Sequence, residues 1–290
     1  MWATKKTFYD YAFDTVNYAI MLFILFITLY PFYYIFIGSF APISQIISGD
    51  PLLWPRSISL AAYKTVLGNP MIPRSYYNTV FITVVGTGIS MLLTIMGAYV
   101  LSKRYLPGRT YMTLMVVITM LFSGGLVPTF LTVKALGFGN SLWVLIIPNA
   151  FSAFNMIIMR NFFSEIPPSL EESAEIDGAS QYAILLRVYL PLSLPVLATV
   201  SLFYAVGYWN AFFNAIIYLT DNKYWPIQVV LREAIIQGKS EVMMRDSDDG
   251  APLENVKFAL IIITVIPILC VYPFLQRYFV KGLLVGSVKG

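Results

Sequence analysis

Apolar residues in this chain come in long unbroken runs, without the short alternation of a strand. Six stretches contain no Asp, Glu, Lys or Arg: 15–49, 75–102, 110–133, 135–159, 188–220 and 258–276. A helix that crosses a membrane needs about 20 largely apolar residues. The runs therefore predict six transmembrane helices near 16–39, 78–101, 111–133, 141–159, 195–219 and 258–276, in a single transmembrane domain over 1–290. The first run is not a cleaved signal peptide. Its apolar core exceeds the usual stretch of about 7–15 residues, and Tyr30-Pro31-Phe32 is no small-residue cleavage site.

Between the runs lie two long polar segments, 40–77 and 220–257, and a third at 160–191. Lys103, Arg104 and Arg109 crowd one very short loop, which the positive-inside tendency places in the cytoplasm. That puts 160–191 inside, 40–77 and 220–257 outside, and both termini inside. Within the second run, Gly86, Ser90, Thr94 and Ala98 recur every fourth residue and share one helix face. Small residues on one face let a neighbouring helix approach closely, so this face is expected to pack in a bundle. Pro31, Pro128, Pro148, Pro195, Pro267 and Pro273 lie in or near the runs and suggest bent spans.

Composition agrees. Hydrophobic residues make up 58% of the chain and charged residues 12%, against about 25% charged in a soluble domain. Mean hydropathy is +0.72. This is the composition of an integral membrane protein. The chain has no histidine and one cysteine, Cys270, in an apolar run. Haem, zinc and serine–histidine chemistry are thereby excluded, as is an intrachain disulfide. The net charge of +4 comes without a basic cluster that would suit nucleic acid.

The distribution of charge says more. Ion-coupled carriers keep ionisable side chains in mid-membrane, and these runs have none. The driving force must come from outside them. Nor does the chain carry an ATP site: Gly238-Lys239-Ser240 would need a Gly at the position of Glu233 to make a phosphate loop.

The segment 164–195 reads SEIPPSLEESAEIDGASQYAILLRVYLPLSLP. Pro167-Pro168 stops any helix entering it. Ser169 with Glu172 has capping-box spacing for a new helix, Glu171 and Glu172 suit its positive end, and Gly178 ends it. Ser180 starts a second short helix that ends near Pro191. Two short helices at an angle would form a rigid knob.

Glu172-Ser173-Ala174, three residues, Gly178, nine residues, Val188, one residue, Leu190-Pro191 resembles the EAA motif of binding-protein-dependent ABC importer permeases. Ser173 stands for the family's second Ala and Val188 for its Ile, both conservative. Leu190 to Pro195, Trp209-Asn210 and the C-terminal stretch from Tyr272 to Gly290 extend the likeness over nearly the whole chain. Within the superfamily the chain is similar to carbohydrate permeases of the maltose G-type and the LplC/YtcP oligosaccharide type.

The resemblance implies an all-α integral membrane protein of six transmembrane helices, the type I ABC importer permease fold, with cytoplasmic EAA coupling helices. It implies a bacterial inner membrane and a non-enzymatic transport subunit that moves a carbohydrate inward by alternating access. The partners implied are a second homologous permease, two cytoplasmic ATPase subunits that bind ATP and Mg, and an extracytoplasmic solute-binding protein. No cofactor is expected in this chain. Glu172, Ala174, Asp177, Gly178, Leu190 and Pro191 become the ATPase-coupling residues, and the tail 282–290 a segment reaching between the ATPases.

A candidate solute path follows from residue type. In 208–214, Asn210 and Asn214 would share a helix face, with Trp209 and Phe213 on the adjacent one. Amides bond sugar hydroxyls and aromatic rings stack on pyranose faces. Asn can equally bond a neighbouring helix, worth about 1 kcal/mol in membranes. In the outer segment, Asp246, Asp248, Asp249 and Gly250 depart from calcium-loop spacing and read as a solvated acidic loop. An ABC importer for a non-sugar solute, and a stand-alone secondary transporter, are the alternative readings.

Overall fold

The computed structural model describes residues 7–48, 52–236 and 253–287, all of them helix, turn or loop with no strand among them. The helices are α1 (Phe8–Phe40), α2 (Ile43–Ile47), α3 (Ala61–Gly68), α4 (Met71–Ser102), α5 (Arg109–Leu121), α6 (Leu126–Ala135), α7 (Trp143–Ile146) and α8 (Ala153–Ser164). They continue as α9 (Pro168–Ile176), α10 (Gln181–Ile184), α11 (Leu190–Leu192), α12 (Leu194–Trp209), α13 (Phe213–Tyr218), α14 (Ile227–Ile236) and α15 (Leu253–Ser287). A π-helical stretch, Leu185–Tyr189, joins α10 to α11.

By length and composition three helices can cross a membrane: Phe8–Phe40, Met71–Ser102 and Glu254–Val271. Three further pairs qualify only as bent spans. Arg109–Leu121 with Leu126–Ala135 bends by 112°, Trp143–Asn149 with Ala153–Ser164 by 50°, and Gln181–Leu192 with Leu194–Trp209 by 86°. The first bend sits on Gly124-Gly125, where Gly125 takes φ +84°, a conformation open to glycine and costly for other residues.

Contacts divide the chain into two compact units. One comprises 1–69 with 234–264, the other 70–233 with 265–290. In the first, Asn255 Nδ2 donates to the carbonyls of Gly38 and Ala41, at 3.3 and 2.6 Å, where α1 ends. The Phe258 ring fills the place of a side chain at Gly38, and Tyr34 meets the same ring edge-on. Most large side chains of α1 from Phe8 to Phe32 are exposed, an apolar surface suited to lipid or protein rather than water.

The second unit is built on α4. Its face of Gly86, Ser90, Thr94 and Ala98 is fully packed, as the four-residue spacing predicts. Gly86 lies against the Tyr208 ring. Ser90 Oγ shares a hydrogen bond with the Tyr208 hydroxyl at 2.9 Å, and Thr94 Oγ1 one with the Tyr204 hydroxyl at 2.7 Å. Small residues admit α12 so closely that its tyrosines reach α4 hydroxyls. Tyr204 also accepts from the Ser152 amide at 3.1 Å, drawing in the start of α8. The lower end of α4 is closed by two guanidinium groups: Nε of Arg109 and of Arg160 both donate to the Leu101 carbonyl, at 3.0 and 3.2 Å. Cations suit a helix C-terminus and its unpaired carbonyls.

Gly238-Lys239-Ser240, the acidic residues Asp246, Asp248 and Asp249, and residues 288–290 of the C-terminal tail lie outside the described residues.

Candidate functional site

The knob forms from local signals. Helix α9 begins at Pro168, its N1 position, with Pro167 as N-cap and no capping side chain. The capping box expected of Ser169 is therefore absent: Ser169 is already inside the helix, and its carbonyl accepts from Ser173 Oγ at 2.7 Å. Proline at N1 loses nothing, since its missing N–H would have had no helical partner.

At the other end Gly178 takes φ +79°. Its amide donates to Glu175 O at 3.0 Å and the Ala179 amide to Ala174 O at 2.9 Å, the two bonds of a Schellman cap. Ser180 then caps α10, its hydroxyl accepting from the Ala183 amide at 3.3 Å. The second helix runs from Gln181 through the π stretch to Leu192 without a break in helical backbone and turns at Ser193, so it ends beside Pro191 as expected.

The expected coupling residues divide between two faces. Glu172, Asp177, Gly178 and Pro191 are exposed. Ala174 and Leu190 are half-buried and pack on the core of this unit. Beside Glu172 and Asp177, the exposed face carries Leu170, Ile176, Tyr182 and Leu186. The face is thus apolar with acidic points, and Gly178 adds no side chain to it.

Glu171, which the sequence suggested only as a partner of the helix dipole, faces the other way. Its Oε1 accepts from Lys103 Nζ at 2.5 Å and its Oε2 from the Tyr189 hydroxyl at 2.7 Å. The Lys103 ammonium stands 4.0 Å from the centre of the Tyr99 ring and 4.4 Å from that of Tyr189. The Tyr99 hydroxyl donates to Gln181 Oε1 at 2.7 Å, and Gln181 Nε2 donates to Glu175 Oε1 at 2.8 Å. Lys103 is 6% exposed and Glu171 12%. Burial lowers the Lys103 pKa, and Glu171 opposes that shift. A cavity of about 350 Å³ opens beside the pair, with Glu172 and Glu175 also in its wall. Spacing could have revealed this: 171, 174, 175 and 178 share one side of a helix, and 172 is turned about 100° away.

The candidate path residues are arranged otherwise than expected. Asn210 and Asn214 do not share a helix face, because α12 ends at Trp209 and α13 begins only at Phe213. The Asn210 side chain explains the end. Its Nδ2 donates to Val206 O at 2.9 Å alongside its own backbone amide, and its Oδ1 accepts from Gln228 Nε2 at 3.3 Å. Side-chain bonds of this kind compete with helix continuation. Trp209 is buried with its ring edge-on to Tyr76, and its indole Nε1 has no hydrogen-bond partner among the described residues. Phe213 is exposed and Asn214 half-buried. Asn210 and Gln228 of α14 meet at the break, and the rings of Phe212, within it, and Phe213, at the start of α13, are exposed. Gln228 carried no signal in the sequence, since it lies far from the motif.

Apolar helices, several of them broken, with a two-helix knob set between two of them, define an all-α membrane permease. The family described as "Binding-protein-dependent transport system inner membrane component" matches residues 1–285, and the chain belongs to it. It is 47% identical over 281 residues to the polygalacturonan/rhamnogalacturonan transport system permease protein YtcP of Bacillus subtilis, covering 96% of this chain and 98% of that one. It is 47% identical over 266 residues to protein LplC of the same organism, covering 91% and 90%. A solved bacterial ABC transporter involved in the import of the acidic polysaccharide alginate contains a chain 34% identical, with a TM-score of 0.89, over 96% of this chain and 100% of that one. The fold is the type I permease fold.

Proposed function

We propose that this chain is the permease subunit through which an ATP-driven, binding-protein-dependent importer brings a carbohydrate oligomer into the cytoplasm. The observation that carries the reading is similarity at 47% identity over nearly the whole length of a permease named for polygalacturonan and rhamnogalacturonan transport. The alginate importer supports the same acidic class of cargo. The apolar runs hold no fixed charge, so a uronate would meet its counter-charge on the binding protein or the second permease.

In this reading the chain lies in the bacterial inner membrane with both termini in the cytoplasm, as Lys103, Arg104 and Arg109 favour. The exposed apolar surface of α1 meets lipid and the second permease. Two ATPase subunits bind ATP and Mg and dock on the knob. The knob is suited to that role: Leu170, Ile176 and Tyr182 offer apolar contact, Glu172 and Asp177 meet basic groups, and Gly178 allows close approach. The six residues expected to couple, Glu172, Ala174, Asp177, Gly178, Leu190 and Pro191, then act as one rigid element. Asn210, Gln228 and Phe213 at the break line the path, where unwound backbone is tolerated if it faces a cavity.

The test is reconstitution of the whole importer in liposomes with its binding protein. Uptake of labelled oligogalacturonate that depends on ATP and on the binding protein is the expected result. Uptake without ATPase subunits would overturn the importer assignment. Uptake of maltooligosaccharide alone would overturn the acidic class.

A further inference from the structure

Helix α9 has little apolar attachment to the rest of its unit. None of its residues is fully buried, Leu170 and Ile176 are exposed, and only Ala174 packs on the core. An element that must transmit movement cannot be held by one methyl group and two chain connections. What fixes its angle is polar: chiefly Glu171, held by Lys103 at the end of α4 and by Tyr189 in the π stretch, with the ammonium against two tyrosine rings, and beside it Glu175, tied through Gln181 to the Tyr99 hydroxyl.

We propose that Lys103 and Glu171 are positioning residues for energy coupling, a buried ionic clasp that makes the knob and α4 one body. The proposal rests on the reading of the knob as the ATPase contact. From α4 the linkage continues. Ser90 and Thr94 hold Tyr208 and Tyr204 of α12, and α12 ends at the Asn210 break. A displacement of α9 is thereby carried to the break without slack.

The choice of an ion pair has a physical consequence. Desolvation of two charges offsets most of their attraction, so a buried pair adds little stability, and what the proposed clasp contributes is a single geometry. Replacing both partners with apolar residues of similar size removes the desolvation cost along with the specificity. Stability and coupling should therefore part company.

The experiment uses the complete importer in proteoliposomes, reading uptake and binding-protein-stimulated ATP hydrolysis in the same vesicles. The variants are Lys103→Met with Glu171→Leu and Tyr189→Phe, so that no buried hydroxyl is left without its partner, and the reversed pair Lys103→Glu with Glu171→Lys. In the apolar pair the complex should assemble and melt no lower than wild type, while solute moved per ATP falls about tenfold, within the range of ordinary coupling energies. The reversed pair should recover part of that ratio. A wild-type ratio in the apolar pair would overturn the clasp. So would a lowered ratio that only follows a lowered melting temperature in both variants. Gly178→Arg tests the underlying reading separately: normal coupling with an arginine on the exposed face would overturn ATPase docking at the knob, whatever the clasp variants show.

Discussion

The Tyr208 ring of α12 lies against Gly86 of α4, and its hydroxyl shares a hydrogen bond with Ser90 Oγ one turn further along, at 2.9 Å. The same hydroxyl donates to the Ile146 carbonyl at 3.3 Å, so two elements hold the ring in place. A Cβ at position 86 would stand 2.8 to 2.9 Å from three atoms of the ring.

Gly86→Ala should accordingly destabilise the protein by about 1–3 kcal/mol through overpacking. Thermal unfolding in detergent would show it as a lowered melting temperature. Gly88→Ala is the control, because a Cβ there meets nothing within 4 Å. Equal melting of the two variants would mean that the helices can part at no cost.

Tyr204 joins three elements, bonding Thr94 of α4 at 2.7 Å and the Ser152 amide at 3.1 Å. Tyr204→Phe leaves a buried hydroxyl and an amide without their partner, at a cost of about 1–3 kcal/mol. Thr94→Ala in the Tyr204→Phe background should cost less than in wild type, because the hydroxyl it removes has already lost its partner. A double-mutant cycle measures this, and strict additivity would refute the coupling.

Gly178 separates two contributions. No atom of the described residues lies within 4 Å of a Cβ placed there, but φ is +79°. Gly178→Ala should therefore lose only backbone energy, about 1 kcal/mol, and Gly178→Asn less, since Asn tolerates that conformation. Chemical unfolding of the purified protein gives both values. A larger loss for Asn than for Ala would show that space, not conformation, makes glycine necessary in the isolated chain.

The knob was legible because its signals are local. Proline before α9, glycine after it and serine before α10 act within one turn of where they stand. Three of the apolar runs were legible for the same reason, length and the absence of charge, but neither signal showed the breaks in the other three. What escaped the sequence is held from a distance. The meeting of Asn210 with Gln228 joins residues 18 apart, and the inward turn of Glu171 depends on Lys103, 68 residues earlier. Both Glu171 and Glu172 look alike to a helix dipole, and only the packing side distinguishes them. Ser169 misled because the spacing of a capping box says nothing about a proline already occupying the first turn.

The break at Asn210 can serve as a structural joint or as part of the solute path. Asn210 Oδ1 holds Gln228, and its Nδ2 holds the Val206 carbonyl. Were the break only a structural joint, Asn210→Ala would cost the Val206 carbonyl its second hydrogen bond and lower stability, while Gln228→Ala would do little, because Gln228 releases only a 3.3 Å contact. If the amides face the solute, both variants should lower uptake while ATP hydrolysis without substrate stays at the wild-type rate. Gln228→Ala is thus the discriminating variant: it removes an amide from the path and disturbs the fold least. Measured in proteoliposomes, a fall in its uptake with unchanged melting temperature and unchanged basal hydrolysis places the solute at the break. Full uptake in that variant would assign the break to helix packing alone.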